Sequence, residues 1–473
     1  MSIPVVAALL IPTIYGLVLV ALILRNDRTT GLFERLCMSF PLGMSFVTMQ
    51  MFVLGLFRVP LTLMPITALL ATEAVGLSLL LRKKDIPLAP RPKFPLYAEL
   101  TGRGTGRKVI LSVLVLWVLL KVGSIFFETS LRPIYAWDTW ANWSVGAKLF
   151  YYSKSLYLDV PAGDYFGRGA VSRFLSYPVH NPLMQVWISL WAGGFDEVLV
   201  KFTSPMYLAC AAGFLAAAIG REAGRIAALA LVAIFLGSPL LSYHAVEGYS
   251  DFPLSVYLML ALASFSRALR GERDYWLLTG LFSAQALFTK DEAFFIIAPL
   301  AVSAMWHIMR TVTARRDRRK TILLLGLPLL FVAPWYVFKF THGFGFGADS
   351  AKLEFTFHPE ILVQAFMNVL SLDNFAVVPV LFPALLVAAG KPDRTFLHLL
   401  APLACYILFF HLLYAFTPYY YHYFSNGTVF YRNILTYYAS LIFLTAFLVR
   451  RIRDRMRLDP QPQPVGKRQR RSA

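Results

Sequence analysis

The chain has few charged residues and few cysteines for its length of 473 residues. Only 15% of the residues are charged, whereas 58% are hydrophobic, and one soluble core of this size would not bury so many apolar runs. The three cysteines, Cys37, Cys210 and Cys405, lie in or beside apolar runs and lack a metal-binding spacing. This argues against a disulfide framework and against a zinc site. The scarcity of charge excludes an ordinary soluble protein and predicts a polytopic membrane protein.

Basic residues outnumber acidic ones and give a formal net charge of +19. In a soluble protein this excess would indicate a nucleic-acid partner. Here Lys and Arg cluster in short loops between apolar runs, as they do in cytoplasmic loops of membrane proteins. We therefore expect no nucleic-acid partner, and we interpret the arginine-rich run 315–320 as a topology determinant that contacts membrane lipids.

Apolar runs of about twenty residues, the length that crosses a bilayer, predict an all-α fold with about thirteen transmembrane helices. The predicted spans lie near 3–24, 37–57, 61–82, 109–128, 199–219, 224–242, 250–268, 275–289, 292–309, 321–340, 367–389, 396–416 and 431–450. With these spans every basic loop falls on one side, which the positive-inside rule assigns to the cytoplasm. We expect a multi-pass protein of the inner (plasma) membrane with a cytoplasmic C-terminus. The first run lacks a basic start and a clear cleavage site, so it is expected to be a retained helix.

The same pattern divides the chain into four parts. The expected parts are a three-helix addition with a basic cytoplasmic loop (1–108), a catalytic module with a long periplasmic loop at 129–198 (109–310), further helices with a periplasmic loop at 341–366 (311–450), and a basic tail (451–473). This division depends on segment 181–191, which is too short to cross comfortably. Because it carries tryptophan at both ends of its apolar face, we expect it to lie along the outer interface as an amphipathic helix.

The predicted outer face collects the acids, histidines and aromatics that membrane packing does not require. Its long loop opens with Tyr135-Ala136-Trp137-Asp138-Thr139-Trp140, and a lone carboxylate between indoles at a membrane helix end is energetically costly. Asp138 is therefore the first candidate for chemistry. The other candidates on this face are Lys148, His180, His244, Tyr249, Asp251, Lys290, Asp291, Glu292 and Arg432.

Most of these candidates also have a plainer explanation. Asp138 and Asp251 each stand where a helix N-cap would stand, and residues 290–292 fit a solvated turn. Arg432 lies near the outer end of a span, where it would extend to lipid headgroups. The aromatic residues fit an interfacial belt.

The order of the motifs resembles a known family. Asp138 follows a membrane helix, and after it come Tyr-Pro-X-X-Asn-Pro-Leu from Tyr177, Gly-Tyr-Ser-Asp-Phe-Pro-Leu from Gly248, and Leu-Phe-Thr-Lys-Asp-Glu-Ala from Leu287. This order resembles the GT-C superfamily of integral membrane glycosyltransferases, which includes protein O-mannosyltransferases and aminoarabinose transferases of lipid A. The resemblance covers roughly residues 109–310, and it extends to the rest only by hydropathy and Arg432.

The resemblance implies that an acceptor hydroxyl attacks the sugar of a polyprenyl-phosphate donor on the periplasmic face, with inversion as the expected outcome. The acceptor would be a glycan, a lipid or a protein. Asp138 would act as the general base, and Asp251 as a second acid. Lys290 and Arg432 would stabilise the leaving phosphate. Further substrate contacts are expected from Lys148, His180, His244, Tyr249, Glu292, Trp137 and Trp140.

Two questions stay open at this stage. Oxygen ligands for Mg²⁺ or Mn²⁺ are available from Asp138, Asp251, Asp291 and Glu292, but Thr139 stands where some relatives have a second acid. Two other functions also fit: a ligase or polymerase of lipid-linked glycans, and a transporter or flippase of lipid-linked sugar. Transporters often show two repeated halves with binding groups at the midplane, and the sequence shows no convincing repeat.

Overall fold

The computed structural model describes residues 3–88, 104–156, 177–342, 355–369, 372–425 and 427–458. Within these ranges the regular structure is entirely helical. The α-helices are α1 (Ile3–Ile23), α2 (Leu32–Leu56), α3 (Leu63–Lys83), α4 (Thr105–Thr129), α5 (Val145–Ser153), α6 (His180–Ala192), α7 (Thr203–Ala223), α8 (Arg225–Leu236), α9 (Pro239–Glu247), α10 (Asp251–Leu269), α11 (Asp274–Thr289), α12 (Phe294–Thr311), α13 (Arg315–Gly326), α14 (Ala333–Thr341), α15 (Ile361–Val369), α16 (Leu372–Phe375), α17 (Val378–Ala389), α18 (Arg394–Phe416) and α19 (Thr428–Leu458). This confirms the predicted all-α class.

Ten helical segments of the described ranges are long and apolar enough to cross a membrane, and α8 with α9 makes an eleventh if this bent pair is one span. The bend measures 68°, and Ser238 caps the second half, where Pro239 occupies the first helical position. Two predicted spans fall short of the roughly twenty residues that cross a bilayer. Helix α11 has 16 residues, close to its predicted bounds of 275–289, and region 367–389 is divided among α15, α16 and α17. The predicted count of thirteen is therefore not confirmed.

Helix α6 differs from its prediction. It has 13 residues, and positions 180–189 are all buried because it packs against α1, α2 and α5. An interfacial amphipathic helix would leave one side to water and headgroups, so that prediction is wrong. The apolar sequence of α6 is explained by protein packing on all sides.

Helices α1 and α2 cross at unusually close range. A Cβ atom on Gly16 would lie 1.9 Å from the carbonyl oxygen of Ser39, and one on Gly43 would lie 1.8 Å from that of Pro12. Pro12 has no N–H, so the carbonyl of Ala8 lacks its usual helical donor. The indole N–H of Trp187 in α6 donates to that carbonyl at 2.7 Å. Pro12 thus leaves the Ala8 carbonyl free to accept the hydrogen bond that connects α1 to α6.

The two ends of the bundle carry different charged groups. Helix α10 begins at Asp251 and ends near Arg267, whose guanidinium lies 3.4 Å from Asp27 in the loop between α1 and α2. Nearby, Arg221 binds Glu34 and Arg270 binds Glu222. The basic positions 91, 93 and 103, the tail from 459, and loop residues 343–354 lie outside the described residues.

Candidate active site

Arg432, in the second turn of α19, binds two carboxylates that are far apart in the sequence. Its Nη1 contacts the carboxylate of Asp138, and its Nη2 and Nε lie 3.0 Å and 3.2 Å from Oδ2 of Asp251. The guanidinium also lies 5.4 Å from the centre of the Tyr249 ring, within the range of a cation–π contact. Snorkelling to headgroups therefore does not describe Arg432, because its charge faces the interior.

Asp251 is the first residue of α10, and its side chain is only 2% exposed. The helix N-terminus stabilises a negative charge at this position. Gly248, with φ of +75°, makes the tight turn before it, a backbone conformation that favours glycine. The carboxylate binds Arg432 and Lys290 through separate oxygens, so its role extends beyond the simple capping that the sequence also allowed.

Lys290 separates α11 from the 3-10 turn Asp291–Ala293 and completes the charged cluster. Its Nζ lies 2.9 Å from Asp251 and 2.9 Å from Glu292. Burial alone would lower the pKa of Lys290, but Asp251 and Glu292 raise it above its ordinary value. A fixed positive charge therefore sits beside Asp251, in a turn that is buried and not solvated.

Asp138 lies directly before a π-helical turn, Thr139–Ser144, and makes no side-chain cap hydrogen bond. Turns of this type are rare and are frequent at functional sites. The carboxylate is 22% exposed and binds Arg432, so it is the more accessible of the two acids on that arginine. In the following text, "the ion-pair cluster" means Asp138, Asp251, Lys290, Glu292 and Arg432.

Aromatic residues surround the ion-pair cluster. Trp137 and Trp140, on either side of Asp138, are 69% and 49% exposed and pack at a ring distance of 5.8 Å. Tyr249 packs on His244 at 4.3 Å, and Nδ1 of His244 lies 4.0 Å from Asp251. Burial, with a further contribution from Glu292, raises the pKa of Tyr177 to about 12. These rings frame the cluster from several sides.

Two predicted site residues lie elsewhere. His180 is fully buried, and its ring contacts Thr48 at 2.7 Å, Tyr257 at 3.2 Å and Tyr207 at 3.3 Å. Lys148 binds Glu197 at 2.6 Å. These contacts favour a packing role for His180 and a surface ion pair for Lys148 over the predicted substrate contacts.

The four carboxylates considered for a metal are all bound to basic side chains. Asp138 and Asp251 bind Arg432, Glu292 binds Lys290, and Asp291 points to Lys339 of α14. Among the described residues, no group of three or more acidic, histidine or cysteine side chains is placed to hold a metal ion. A hard divalent cation needs several free oxygen ligands, and this donor set does not supply them.

Sequence reasoning named Asn181 on the outer face only, as the Asn of the Tyr-Pro-X-X-Asn-Pro-Leu motif, and it missed Gln185 and the hydrogen bonds that these two side chains make next to the cluster. Asn181 and Gln185, one turn apart on α6, connect the turn before Asp251 to the turn after Asp138. Lys339 was also missed, although a lysine near the outer end of an apolar run is a readable signal. The partners of these residues are distant in sequence, and only the fold brings them together.

Two comparisons with known proteins give matches. Residues 178–338, less than half of the chain, match the family described as dolichyl-phosphate-mannose-protein mannosyltransferase. Among solved structures, ArnT from Cupriavidus metallidurans bound to undecaprenyl phosphate is similar, with a TM-score of 0.51 and 15% sequence identity over 71% of this chain and 60% of that chain. No curated protein sequence matches. The structural likeness shows a shared fold, and with the family match it confirms the predicted resemblance to the GT-C superfamily.

Proposed function

We propose that this chain, which has the GT-C fold, is a membrane glycosyltransferase that moves a sugar from a polyprenyl-phosphate donor to an acceptor hydroxyl. The observation that supports this most directly is Arg432, which holds Asp138 and Asp251 next to buried Lys290. A candidate base and two cations are thereby concentrated at one end of the bundle. The similarity to a structure that contains undecaprenyl phosphate supports the donor class.

In the proposed reaction the acceptor oxygen forms a bond to the anomeric carbon while the bond from that carbon to the phosphate oxygen breaks. The electron pair leaves with the phosphate, and the proton of the hydroxyl passes to Asp138. A positioned base of this kind contributes about two to four orders of magnitude in rate. Direct displacement inverts the configuration of the sugar carbon.

The charges of the ion-pair cluster explain how it would receive a phosphate. Every cation in it is already paired with a carboxylate, so phosphate binding requires one pair to open. The pair between Arg432 and Asp138 is the more exposed, at 20% and 22%, while Asp251 is 2% exposed. The donor phosphate therefore displaces the Asp138 carboxylate from Arg432. The displaced carboxylate then accepts the proton of the acceptor hydroxyl.

We place the site on the periplasmic side of the inner membrane and the C-terminus in the cytoplasm. This is supported by the basic residues at the opposite ends of the helices that carry the cluster, such as Arg267 in the last turn of α10 and Arg270 directly after it.

The test is a transfer assay in proteoliposomes. Purified protein is given the lipid-linked sugars extracted from its own membranes, and loss of each donor is followed by mass spectrometry. We expect the wild type to consume one polyprenyl-phosphate sugar. We expect the Asp138→Asn variant to leave that donor unconsumed. Ordinary turnover by the variant would remove Asp138 as the base, and no consumption of any lipid-linked sugar by the wild type would contradict the function.

A further inference from the structure

A buried chain of side-chain hydrogen bonds runs beneath the ion-pair cluster. The amide nitrogen of Asn181 donates to the carbonyl of Gly248 at 3.0 Å and to Oγ of Ser250 at 2.8 Å. Its amide oxygen accepts from Gln185 at 3.2 Å, and the oxygen of Gln185 accepts from Ser144 at 2.8 Å. The chain thus links the turn before Asp251 to the π-helical turn after Asp138.

The members of this chain are closed to solvent. Ser250 is fully buried, and Asn181, Gln185 and Ser144 are at most 3% exposed. Both amide donors and the amide oxygen of Asn181 are used. Because a buried polar group without a partner is costly, the chain favours one arrangement of the two turns over any shifted one.

The two turns need such a link when the donor binds. Among the described residues, Arg432 is the side chain that directly connects the carboxylates of Asp138 and Asp251. In the proposed reaction the donor phosphate takes that arginine, and the direct link opens. The hydrogen-bond chain through α6 does not involve Arg432, so it survives the exchange.

We infer that Asn181 is a positioning residue. Together with Gln185, it fixes the relative position of the turns next to Asp138 and Asp251 while Arg432 binds the phosphate. This inference rests on the proposed function. It assigns to Asn181 no contact with substrate, since the residue acts through the backbone at Gly248 and through Ser250. The chemistry stays with Asp138.

The same helix offers a matched control. His180, next to Asn181, forms a second buried network with Thr48, Tyr207 and Tyr257, and this network has no member in the ion-pair cluster. Thr48 lies on α2, so Thr48→Val removes a buried hydrogen bond between α2 and His180 of α6 and leaves the two turns untouched.

The kinetic experiment compares Asn181→Leu, Ser144→Ala and Thr48→Val in the transfer assay. We expect Asn181→Leu to lower kcat by about 30-fold or more and Ser144→Ala by about fivefold, the effect of one lost hydrogen bond. The donor KM should stay within about threefold, because no donor contact is lost. Thr48→Val should lower the melting temperature and leave kcat unchanged. Equal kcat values for folded Asn181→Leu and Thr48→Val would overturn the inference.

A second experiment requires no turnover. Amide hydrogen exchange of residues 139–145 and 248–251 is measured for the wild type, for the single variants Arg432→Ala, Ser144→Ala and Thr48→Val, and for Arg432→Ala combined with each of the other two. We expect the double variant with Ser144→Ala to lose more protection in both segments than the sum of its single variants, and the double variant with Thr48→Val to be additive. If the losses of protection are additive in both double variants, the inference is overturned. Because this readout contains no donor, it separates failure of the inference from failure of the proposed function.

Discussion

Lys290 and Asp251 form an ion pair, 2.9 Å from Nζ to Oδ1, in which the side chains are only 6% and 2% exposed. Removing two charges from water is unfavourable unless each finds good partners. Here Lys290 has a second acid in Glu292, and Asp251 has a second cation in Arg432. The pair between Lys290 and Asp251 is therefore held in place by contacts on both sides. Arg432 connects this pair to Asp138, the more accessible acid.

Replacing Lys290 by methionine leaves Asp251 with Arg432 at 3.0 Å and the His244 ring at 4.0 Å. We expect a loss of about 3 kcal/mol in stability, the lower end for breaking a buried pair, measured by thermal unfolding in detergent. The double variant Asp251→Asn with Lys290→Met removes both charges and should be more stable than Lys290→Met alone. A single variant as stable as the wild type would show that the pair is not buried as described.

The pH dependence of Lys290 follows from the same contacts. Because Asp251 and Glu292 raise its pKa, its contribution to stability is complete below the unfolded pKa of about 10.4 and declines only as pH rises through the folded value. We expect equal melting-temperature differences between wild type and Lys290→Met from pH 6 to 9. A difference that shrinks within this range would mean that Lys290 deprotonates there.

Asp138→Asn should leave folding intact and lower transfer by about two to four orders of magnitude, because an amide cannot accept the acceptor proton. Asp196→Asn is the matched control. Its carboxylate accepts hydrogen bonds from the backbone of Val198 and Leu199 and has no part in the cluster. Comparable losses in the two variants would point to a general effect of charge.

Under the proposed function, Arg432→Ala should weaken binding of a polyprenyl phosphate, with undecaprenyl phosphate as the probe, by about 10- to 100-fold, the value of one or two charged hydrogen bonds. Exposed Arg315 at the opposite end of the bundle provides the control, and Arg315→Ala should change the affinity by less than about twofold. The measurement is equilibrium binding of the lipid to protein in nanodiscs. Equal affinities for all three proteins would exclude Arg432 as the phosphate contact.

Chelation addresses the metal question directly. Since the four candidate carboxylates are bound to basic side chains, we expect transfer to continue after treatment with EDTA and to be unchanged by added Mg²⁺ or Mn²⁺. Loss of transfer with EDTA and recovery with one of these ions would show that the carboxylates release their cations to form a metal site.

The sequence predicted the helical class and the residues of the ion-pair cluster, because hydropathy and helix-end acids are local signals. Asp138, Asp251, Lys290, Glu292 and Arg432 were all named, and the structure brings them together. The chemical roles assigned to them stay predictions.

The sequence failed where a partner from a distant helix decides the outcome. An apolar segment with two tryptophans has the same pattern whether it faces lipid or protein, so α6 was placed at the interface. His180 and Lys148 were chosen by side-chain type, and only the fold shows their partners Thr48 and Glu197. The count of thirteen spans is not confirmed, because region 367–389 contains short helices in place of one long one.

Deleting the first helix would strip Trp187 of its acceptor, since the carbonyl it uses is made available by Pro12. A shortened chain that starts after α3 would leave that indole without its partner and open one flank of α6, the helix that holds both turns of the site in place. The boundary at position 108 stays a prediction, and the hydrogen bond from Trp187 to Ala8 shows that a helix before it packs against the helix that carries Asn181 and Gln185.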